Sequence, residues 1–256
     1  VVAGQEEFGD ADGPALEARF YEPWGMVKMG DGAIIIADYS NHRLRKLQNG
    51  VVTTLAGGER GFADGPAAAA HFCYPTGVAL AAQGRMLVAD AGNHRIRRVT
   101  SEGETTTIGG ADGPMIQGYA RGIITARDGT VFVSTIVAQN KILTLSADGT
   151  VTTLAGGVAG FADGRGEAAR LMFPNSIAEG PDGLIYVADT GNNCIRRVDR
   201  SGNVTTVASE LYGPTAIAVA PDGTIYVGER GCQCRVRRIR NGEESTLHEE
   251  GDTEVN

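Results

Sequence analysis

One sequence unit occurs repeatedly along this chain of 256 residues. Residues 20–47 return as residues 72–99, and the same pattern returns again within residues 173–198. Each copy carries Ala-Asp, then Asn, then a run rich in arginine. A repeat period of about 40 to 55 residues is typical of supersecondary units that stack or are arranged radially. Because the unit runs from end to end, we predict a single domain over residues 1–256.

Each unit contains four short segments rich in β-branched and aliphatic residues, as strands require. In the second unit these segments are residues 77–81, 85–89, 94–99 and 105–108. Pairs ending in Gly separate the first segment from the second and the third from the fourth. Such pairs supply the positive φ that two-residue hairpin turns need. Four strands in a meander form one blade of a β-propeller.

The predicted fold class is therefore all-β, a β-propeller of four-stranded antiparallel blades. Five complete repeat units are visible, and they are centred on Asp38, Asp90, Thr135, Asp189 and Glu229. The fourth strand occurs six times, and the additional copy is residues 1–4. This N-terminal strand either pairs beside the C-terminal strand to close a five-bladed ring, or indicates a portion of a six-bladed ring.

Strand alternation divides the connections between the two ends of each blade. With the strands lettered a to d, the short a–b and c–d hairpins lie at one end. The longer b–c and d–a loops lie at the other, which we call the long-loop face. Loops held by a rigid scaffold commonly carry binding residues, so the long-loop face is the candidate site.

The sequence Ala-Asp-Gly recurs at residues 11–13, 63–65, 111–113 and 162–164. Ala-rich stretches follow it, and a Pro suited to a first helical position predicts one or two helical turns there. The aromatic residues that close these stretches, Phe20, Phe72 and Phe173, are expected to pack against the blade. One Asp per loop supplies too few oxygen ligands for calcium, so a structural turn is favoured over a calcium site.

The pattern Pro-x-Gly-Val-Ala, then Val-Ala-Asp-x-Gly-Asn-His-Arg-Ile-Arg-Arg-Val, resembles the NHL repeat. The match is strong in the first, second and fourth units. It is weaker in the third, which has Ala120-Arg121-Gly122 for Pro-x-Gly, and in the fifth, which has Gly228-Glu229 for Ala-Asp. The resemblance implies a propeller, usually of six blades, that recognises protein or RNA, although some relatives are enzymes.

The Asp-x-x-Asn-His-Arg loop could be read as an acid–base cluster. It recurs from blade to blade, however, whereas a catalytic site is normally asymmetric. Asp and Asn at strand ends commonly bond to their own turn, and the arginine is expected to pair with a neighbouring blade. The enzyme alternative comes from similar propellers of the lactonase type, which hold calcium in a central channel. It would use Glu229, Asn175 and Asp189.

Cysteine and histidine give no persuasive metal site. Cys232 and Cys234 are two residues apart, a spacing that rarely closes a disulfide, and they are interpreted as incidental loop residues. Four histidines are present, and two of them occupy repeat positions. No cofactor, metal ligand or catalytic residue is therefore assigned.

Charge argues against nucleic acid as the main partner. The formal net charge is -8, and the arginines are dispersed as one set per blade rather than clustered, so an RNA-binding role is possible but disfavoured. No apolar run reaches the length of a membrane span. The chain begins at Val1, which favours a domain of a larger chain, and the compartment is left open.

The sequence thus favours a non-enzymatic recognition module or scaffold for a protein or peptide partner. The alternatives are a metal-dependent hydrolase or lyase and a structural spacer. Residues that break the repeat on the long-loop face are expected to contact the partner, because Trp, Tyr and Arg often dominate binding. These predicted contact residues are Trp24, Tyr74, Arg121, Gln139, Asn175, Glu229 and Arg230.

Overall fold

The computed structural model describes residues 2–109, 116–230, 235–240 and 242–248. The chain divides into two compact units. The first contains Val1–Val131 and Leu145–Val151, and the second contains Phe132–Thr144 and Thr152–Asn256. Within the described ranges there is no helix long and apolar enough to cross a membrane. Residues 111–113, Cys232 and Cys234, for which the sequence made predictions, lie outside those ranges.

Two blades lie in the first unit. The first blade consists of β1 (Gly13–Pro14), β2 (Pro23–Lys28), β3 (Ile34–Asp38), β4 (Arg43–Gln48) and β5 (Val51–Gly57), in the sheet order β1-β5-β4-β3-β2. The second blade consists of β6 (Pro75–Leu80), β7 (Met86–Asp90), β8 (Arg95–Val99) and β9 (Thr105–Gly109).

The third four-stranded sheet contains the boundary between the units. Its strands are β10 (Tyr119–Thr125), β11 (Val131–Ile136), β12 (Asn140–Leu145) and β13 (Val151–Gly157).

Two further blades lie in the second unit. The fourth blade consists of β14 (Gly164–Arg165), β15 (Pro174–Glu179), β16 (Ile185–Asp189), β17 (Cys194–Val198) and β18 (Asn203–Ala208). The fifth consists of β19 (Pro214–Val219), β20 (Ile225–Glu229), β21 (Val236–Arg240) and β22 (Glu243–His248). The prediction of five antiparallel four-stranded blades is therefore confirmed.

The predicted N-terminal strand is wrong for its described residues. Residues 2–4 form no strand, and the Gly4 N–H donates to the Ala15 carbonyl at 2.8 Å. The N-terminal segment instead contributes the two-residue β1, in which Gly13 pairs with Val52. The expected helical turn is present, because the Ala18 N–H donates to the Pro14 carbonyl at 3.0 Å.

A buried ion pair lies inside each blade that matches the repeat strongly. Asp90 and Arg97 in the second blade are fully buried and joined at 2.7 Å. Arg97 also pairs with Asp64 of the Ala-Asp-Gly loop at 2.6 Å. The first and fourth blades repeat this arrangement with other residues: Asp38, Arg45 and Asp12; Asp189, Arg196 and Asp163. These strand-c arginines pair with carboxylates of their own blade and of the d–a loop before it, so for them a pairing with a neighbouring blade is wrong. Arg43, the arginine of the Asp-x-x-Asn-His-Arg loop, pairs with Asp10.

The Asp of the Ala-Asp-Gly loop fastens that loop to strand d. Asp64 accepts hydrogen bonds from the N–H and the hydroxyl of Thr107 in β9. Among the predicted aromatic residues, Phe72 is fully buried, whereas Phe173 is 41% exposed. In the fourth blade, buried Leu171 occupies the position that Phe72 has in the second blade. Each of these two residues stands three positions before the proline that begins strand a.

Glycine in Pro-x-Gly allows the first strands of neighbouring blades to pack closely in the first unit. β6 packs against both β2 and β10. A Cβ on Gly25 would lie 2.5 Å from the Thr76 carbonyl oxygen, and one on Gly77 would lie 2.7 Å from the Arg121 carbonyl oxygen. The residues in the middle of this motif, among them Trp24 and Arg121, are therefore held close together.

Candidate partner-binding site

The b–c loops end in residues with left-handed backbone. In the first blade a 3-10 turn over Tyr39–Asn41 ends at His42, whose φ is 55°. Asn41 donates to Asp38 at 2.9 Å and to the Gly9 carbonyl at 2.7 Å. The second and fourth blades have the same turn and the same bonds. In each of these blades, the Asp and Asn of the Asp-x-x-Asn pattern hold the turn and the preceding d–a loop.

The residue at the end of this turn reaches the next blade. His42 Nδ1 accepts the Tyr74 N–H at 3.2 Å. In the second unit, Asn193 Oδ1 accepts the Gly213 N–H at 3.0 Å. Tyr74 and Gly213 each stand immediately before the proline that begins strand a. The last residue of each of these loops thus fixes the residue that precedes the next strand a.

The residue before that proline adopts an uncommon conformation. Glu22, Tyr74 and Phe173 have φ values of 52°, 52° and 51°. Left-handed backbone is rare in residues other than Gly, and the α region is disfavoured before Pro. Uncommon backbone of this kind is concentrated at functional sites. In the first unit it brings the Tyr74 ring beside the first blade's b–c loop.

Three aromatic rings are neighbours on the long-loop face of the first unit. The Trp24 ring lies 5.9 Å from the Tyr39 ring, and the Tyr39 ring lies 4.9 Å from the Tyr74 ring. The Arg121 guanidinium is 4.1 Å from the centre of the Trp24 ring, and the Arg60 guanidinium is 5.0 Å from that of Tyr74. We call these five residues the aromatic–arginine cluster. Trp24 is 44% exposed, so a partner can reach it.

The cluster contains three of the residues predicted from the sequence, Trp24, Tyr74 and Arg121. Tyr39 and Arg60 were missed. Tyr39 lies in a b–c loop where the second repeat has Ala91, so a departure from the repeat was visible. The side chain of Arg60 is placed by the course of a long d–a loop, and no periodicity indicates that course.

The other four predicted residues lie in the second unit. Asn175, in the strand position that corresponds to Trp24, donates to the Thr190 hydroxyl at 2.8 Å. The Gln139 carbonyl accepts the Thr135 hydroxyl at 2.9 Å. Arg230 is exposed, and its N–H donates to the Gly213 carbonyl.

Glu229 is buried, and it takes the place of the blade aspartate. It accepts the Tyr212 N–H at 2.9 Å and pairs with Arg235 at 2.5 Å. Its carboxylate therefore holds the fifth blade together, and its predicted contact with a partner, like those of the other predicted residues, stays a prediction.

Two of the three alternative calcium ligands, Asp189 and Glu229, are engaged in ion pairs. Asp189 is fully buried and is joined to Arg196 at 3.0 Å, and it also accepts bonds from Asn192 and the Met172 N–H. Glu229 is ion-paired with Arg235 as well. Among the described residues, no group of three or more His, Cys, Asp and Glu side chains is arranged to hold a metal ion.

A groove of about 650 Å³ lies elsewhere in the first unit. Its lining combines alanines and glycines with the polar residues Arg43, Thr54, Glu59 and His71. Arg43 is paired with Asp10 at 3.1 Å, and His71 Nδ1 lies 3.3 Å from the Glu59 carbonyl. Two of its polar side chains are therefore already engaged within the protein.

A curated protein from Arabidopsis thaliana is related to part of the chain. "Protein SUPPRESSOR OF QUENCHING 1, chloroplastic" is 39% identical over 106 residues. The match covers 40% of this chain and 10% of that protein.

Solved structures share the fold at low sequence identity. A nidogen/laminin complex matches with a TM-score of 0.69 and 16% identity, covering 88% of this chain and 80% of that one. A catalytically inactive virginiamycin B lyase from Staphylococcus aureus with quinupristin gives 0.66 and 16%, covering 95% and 72%. Regucalcin, a calcium-binding protein from Agrobacterium tumefaciens strain C58, gives 0.67 and 18%, covering 94% and 78%.

The NHL repeat family matches the chain three times, at residues 20–47, 72–99 and 171–198. These ranges contain strands a, b and c of the first, second and fourth blades. The sequence resemblance and the blade geometry therefore agree. This chain therefore contains three NHL repeats, which form blades of the β-propeller type.

Proposed function

We propose that this chain is a recognition module that binds a protein or peptide partner through its long-loop face. The observation that carries the proposal is the aromatic–arginine cluster. Exposed Trp24 and half-buried Tyr39 and Tyr74 form a contiguous aromatic surface, and two arginines are stacked on it. Trp, Tyr and Arg are the residue types that most often dominate the binding energy of interfaces.

The rigidity of the cluster supports binding. His42 fixes the Tyr74 backbone, and the close approach of β2, β6 and β10 holds Trp24 against Arg121. Side chains already ordered before binding lose less conformational entropy when a partner arrives. The repeated carboxylates, by contrast, are engaged in ion pairs inside the blades, where they stabilise the fold.

Selection from a displayed random-peptide library tests the proposal. We expect peptides selected on the wild-type chain to lose at least about tenfold in affinity on Trp24→Ala and on Arg121→Glu, since interface anchors cost 2 kcal/mol or more. Leu16→Ala is the matched control, because Leu16 is a 61% exposed apolar residue of the same unit outside the cluster. If the selected peptides bind the two cluster variants as well as the wild type, the cluster is not the binding site.

A metal-dependent hydrolase or lyase is the second candidate. Its support is the fold similarity to a virginiamycin B lyase and to the calcium-binding regucalcin. At 16% and 18% sequence identity, this similarity concerns the fold alone. Elemental analysis of the protein purified without chelator tests it. About one calcium or zinc ion per chain, retained after dialysis, would favour this candidate. If the protein retains metal and the selected peptides bind Trp24→Ala as tightly as the wild type, the hydrolase or lyase candidate replaces the recognition proposal.

A further inference from the structure

Arg60 is an exposed cation with no acidic partner in the described part of the chain. Its guanidinium lies over the Tyr74 ring at 5.0 Å, and the nearby Cys73 thiol is the main cause of a raised pKa of Arg60. The arginines buried in the first, second and fourth blades differ, since each pairs with two carboxylates. An exposed guanidinium that lies over a ring keeps N–H donors available to a ligand.

The charge of Arg60 acts on the neighbouring loop and is not neutralised by an ion pair. Burial, with added repulsion from Arg60 and Arg43, lowers the pKa of His42 below its ordinary value. Asp10 pairs with Arg43, Glu22 accepts the Ser40 hydroxyl, and Glu59, the residue before Arg60, forms no ion pair with it within the described ranges. The guanidinium of Arg60 is therefore left for a ligand.

Two of the three rings already carry a cation. Arg121 lies over Trp24, and Arg60 lies over Tyr74. A cationic ligand such as a lysine side chain would compete with these guanidiniums for the rings and would be repelled by them. An anionic group meets the opposite situation, because stacked guanidiniums present hydrogen-bond donors and positive charge.

The small size of the charged region favours a ligand with a carboxylate over a nucleic acid. Binding RNA requires several phosphates to be neutralised along a basic groove. Here the unpaired basic charge is that of Arg60, on a chain of net charge -8. A short segment with one carboxylate can be neutralised by this guanidinium, whereas a long polyanion would be repelled by the rest of the surface.

We infer, on the basis of the proposed function, that the cluster recognises an acidic residue next to an apolar one in the partner peptide. Arg60 binds the carboxylate of the Asp or Glu. The adjacent apolar side chain packs against the exposed edges of Tyr39 and Trp24. The Arg121 guanidinium lies over the Trp24 ring and maintains the position of that ring.

The composition and charge dependence of the selected peptides test this inference. We expect peptides that depend on Trp24 to be enriched in Asp and Glu. Replacing that acidic residue by Asn or Gln should weaken binding at least about tenfold, as should Arg60→Met, because an ionised partner strengthens the hydrogen bond. Affinity should also fall between about 0.05 M and about 0.5 M salt.

Arg85→Met is the matched control for the loss of one exposed positive charge, since Arg85 lies in the a–b hairpin of the second blade. Wild-type affinity for this variant and weakened binding for Arg60→Met would support the inference. Peptides that require Trp24 but are neutral or basic, and that tolerate Arg60→Met, would overturn it and leave the proposed function standing. Peptides that do not require Trp24 would overturn both. Arg60 is exposed, so thermal unfolding of Arg60→Met should match the wild type and exclude a folding defect.

Discussion

Asp90 and Arg97 form a fully buried ion pair inside the second blade, with Arg97 Nη1 donating to Asp90 Oδ2 at 2.7 Å. Burial raises the pKa of Asp90, although Asn93, Cys73 and Arg97 bond to its charged form. Arg97 also bonds to the Ala63 and His71 carbonyls at 2.6 Å and 3.0 Å. One guanidinium thus connects strands b and c with the d–a loop that precedes the blade.

Removing this arginine should destabilise the chain strongly. We expect Arg97→Met to lower the free energy of unfolding by about 3–5 kcal/mol, because Asp90 would be left as a buried charge without its cation. Urea unfolding followed by circular dichroism measures the change. Arg98→Met, a change at the next residue of β8, is the control, and an equal effect of both variants would contradict this account.

The third blade shows which uncharged residues can take the place of the buried Asp–Arg pair. Thr135 and Leu143 occupy the positions of Asp90 and Arg97, so both charges are absent together. The Thr135 hydroxyl donates to the Gln139 carbonyl and accepts the Lys141 N–H. We expect the double variant Asp90→Thr, Arg97→Leu to be more stable than Arg97→Met, since no uncompensated charge remains. Urea unfolding of the two variants side by side decides this, and a double variant that is no more stable would contradict it.

Close packing of the first strands gives a second kind of prediction. We expect Gly25→Ala to cost about 1–3 kcal/mol, because its Cβ would lie 2.5 Å from the Thr76 carbonyl oxygen and force β2 away from β6. Gly30→Ala is the control, since nothing lies within 4 Å of its Cβ position. Thermal unfolding of both variants provides the test, and equal melting temperatures would show that β2 and β6 can separate without cost.

The sequence predicted the elements that are defined locally. Strand composition and Gly-containing hairpins located five blades, and the repeat of Asp and Arg indicated a structural role. The sequence did not predict that Arg97 pairs with both Asp90 and Asp64. Asp90 lies on the adjacent strand, whereas Asp64 reaches Arg97 only because the d–a loop folds back onto the blade. The same limit applies to the cluster: Trp24 and Arg121 are 97 positions apart in the chain, and only the packing of β2, β6 and β10 brings them together.

The prediction that Phe173 packs against the blade as Phe72 does is wrong for a physical reason. Both residues are aromatic, yet Leu171 fills the buried position in the fourth blade. A core position requires apolar volume rather than a particular side chain, so residue identity is a poor guide to register there. Spacing from the following proline is the better guide, because that proline begins strand a.

The buried thiol of Cys194 should be chemically inert. Burial, with the nearby Asp189 charge, raises the pKa of Cys194 to about 12. Since the thiolate is the nucleophile, its alkylation near neutral pH should be about a thousandfold slower than that of an unfolded chain. Mass spectrometry of peptides after timed iodoacetamide treatment measures this. Labelling of Cys194 at the unfolded rate without loss of the fold would contradict the assignment.

Acid should weaken the contact between His42 and Tyr74. Burial and the positive charges of Arg60 and Arg43 lower the pKa of His42 below 6.5, and the neutral ring is the form that accepts the Tyr74 N–H. The folded chain therefore binds a proton less readily than the unfolded chain does. Its contribution to stability is fully present above pH 6.5 and is lost as the pH falls through the lowered pKa.

His42→Asn isolates this effect, because Asn tolerates the left-handed backbone and has an amide oxygen that can accept the same N–H, as Asn193 does for Gly213. We expect the wild type to lose stability in urea as the pH falls from about 7 to about 5, and the variant to lose less over this range. The neighbouring carboxylates, Asp10, which pairs with Arg43, and Glu22, are present in both proteins, so their contribution cancels in the comparison. Parallel pH profiles for the two proteins would show that His42 is not the group that titrates.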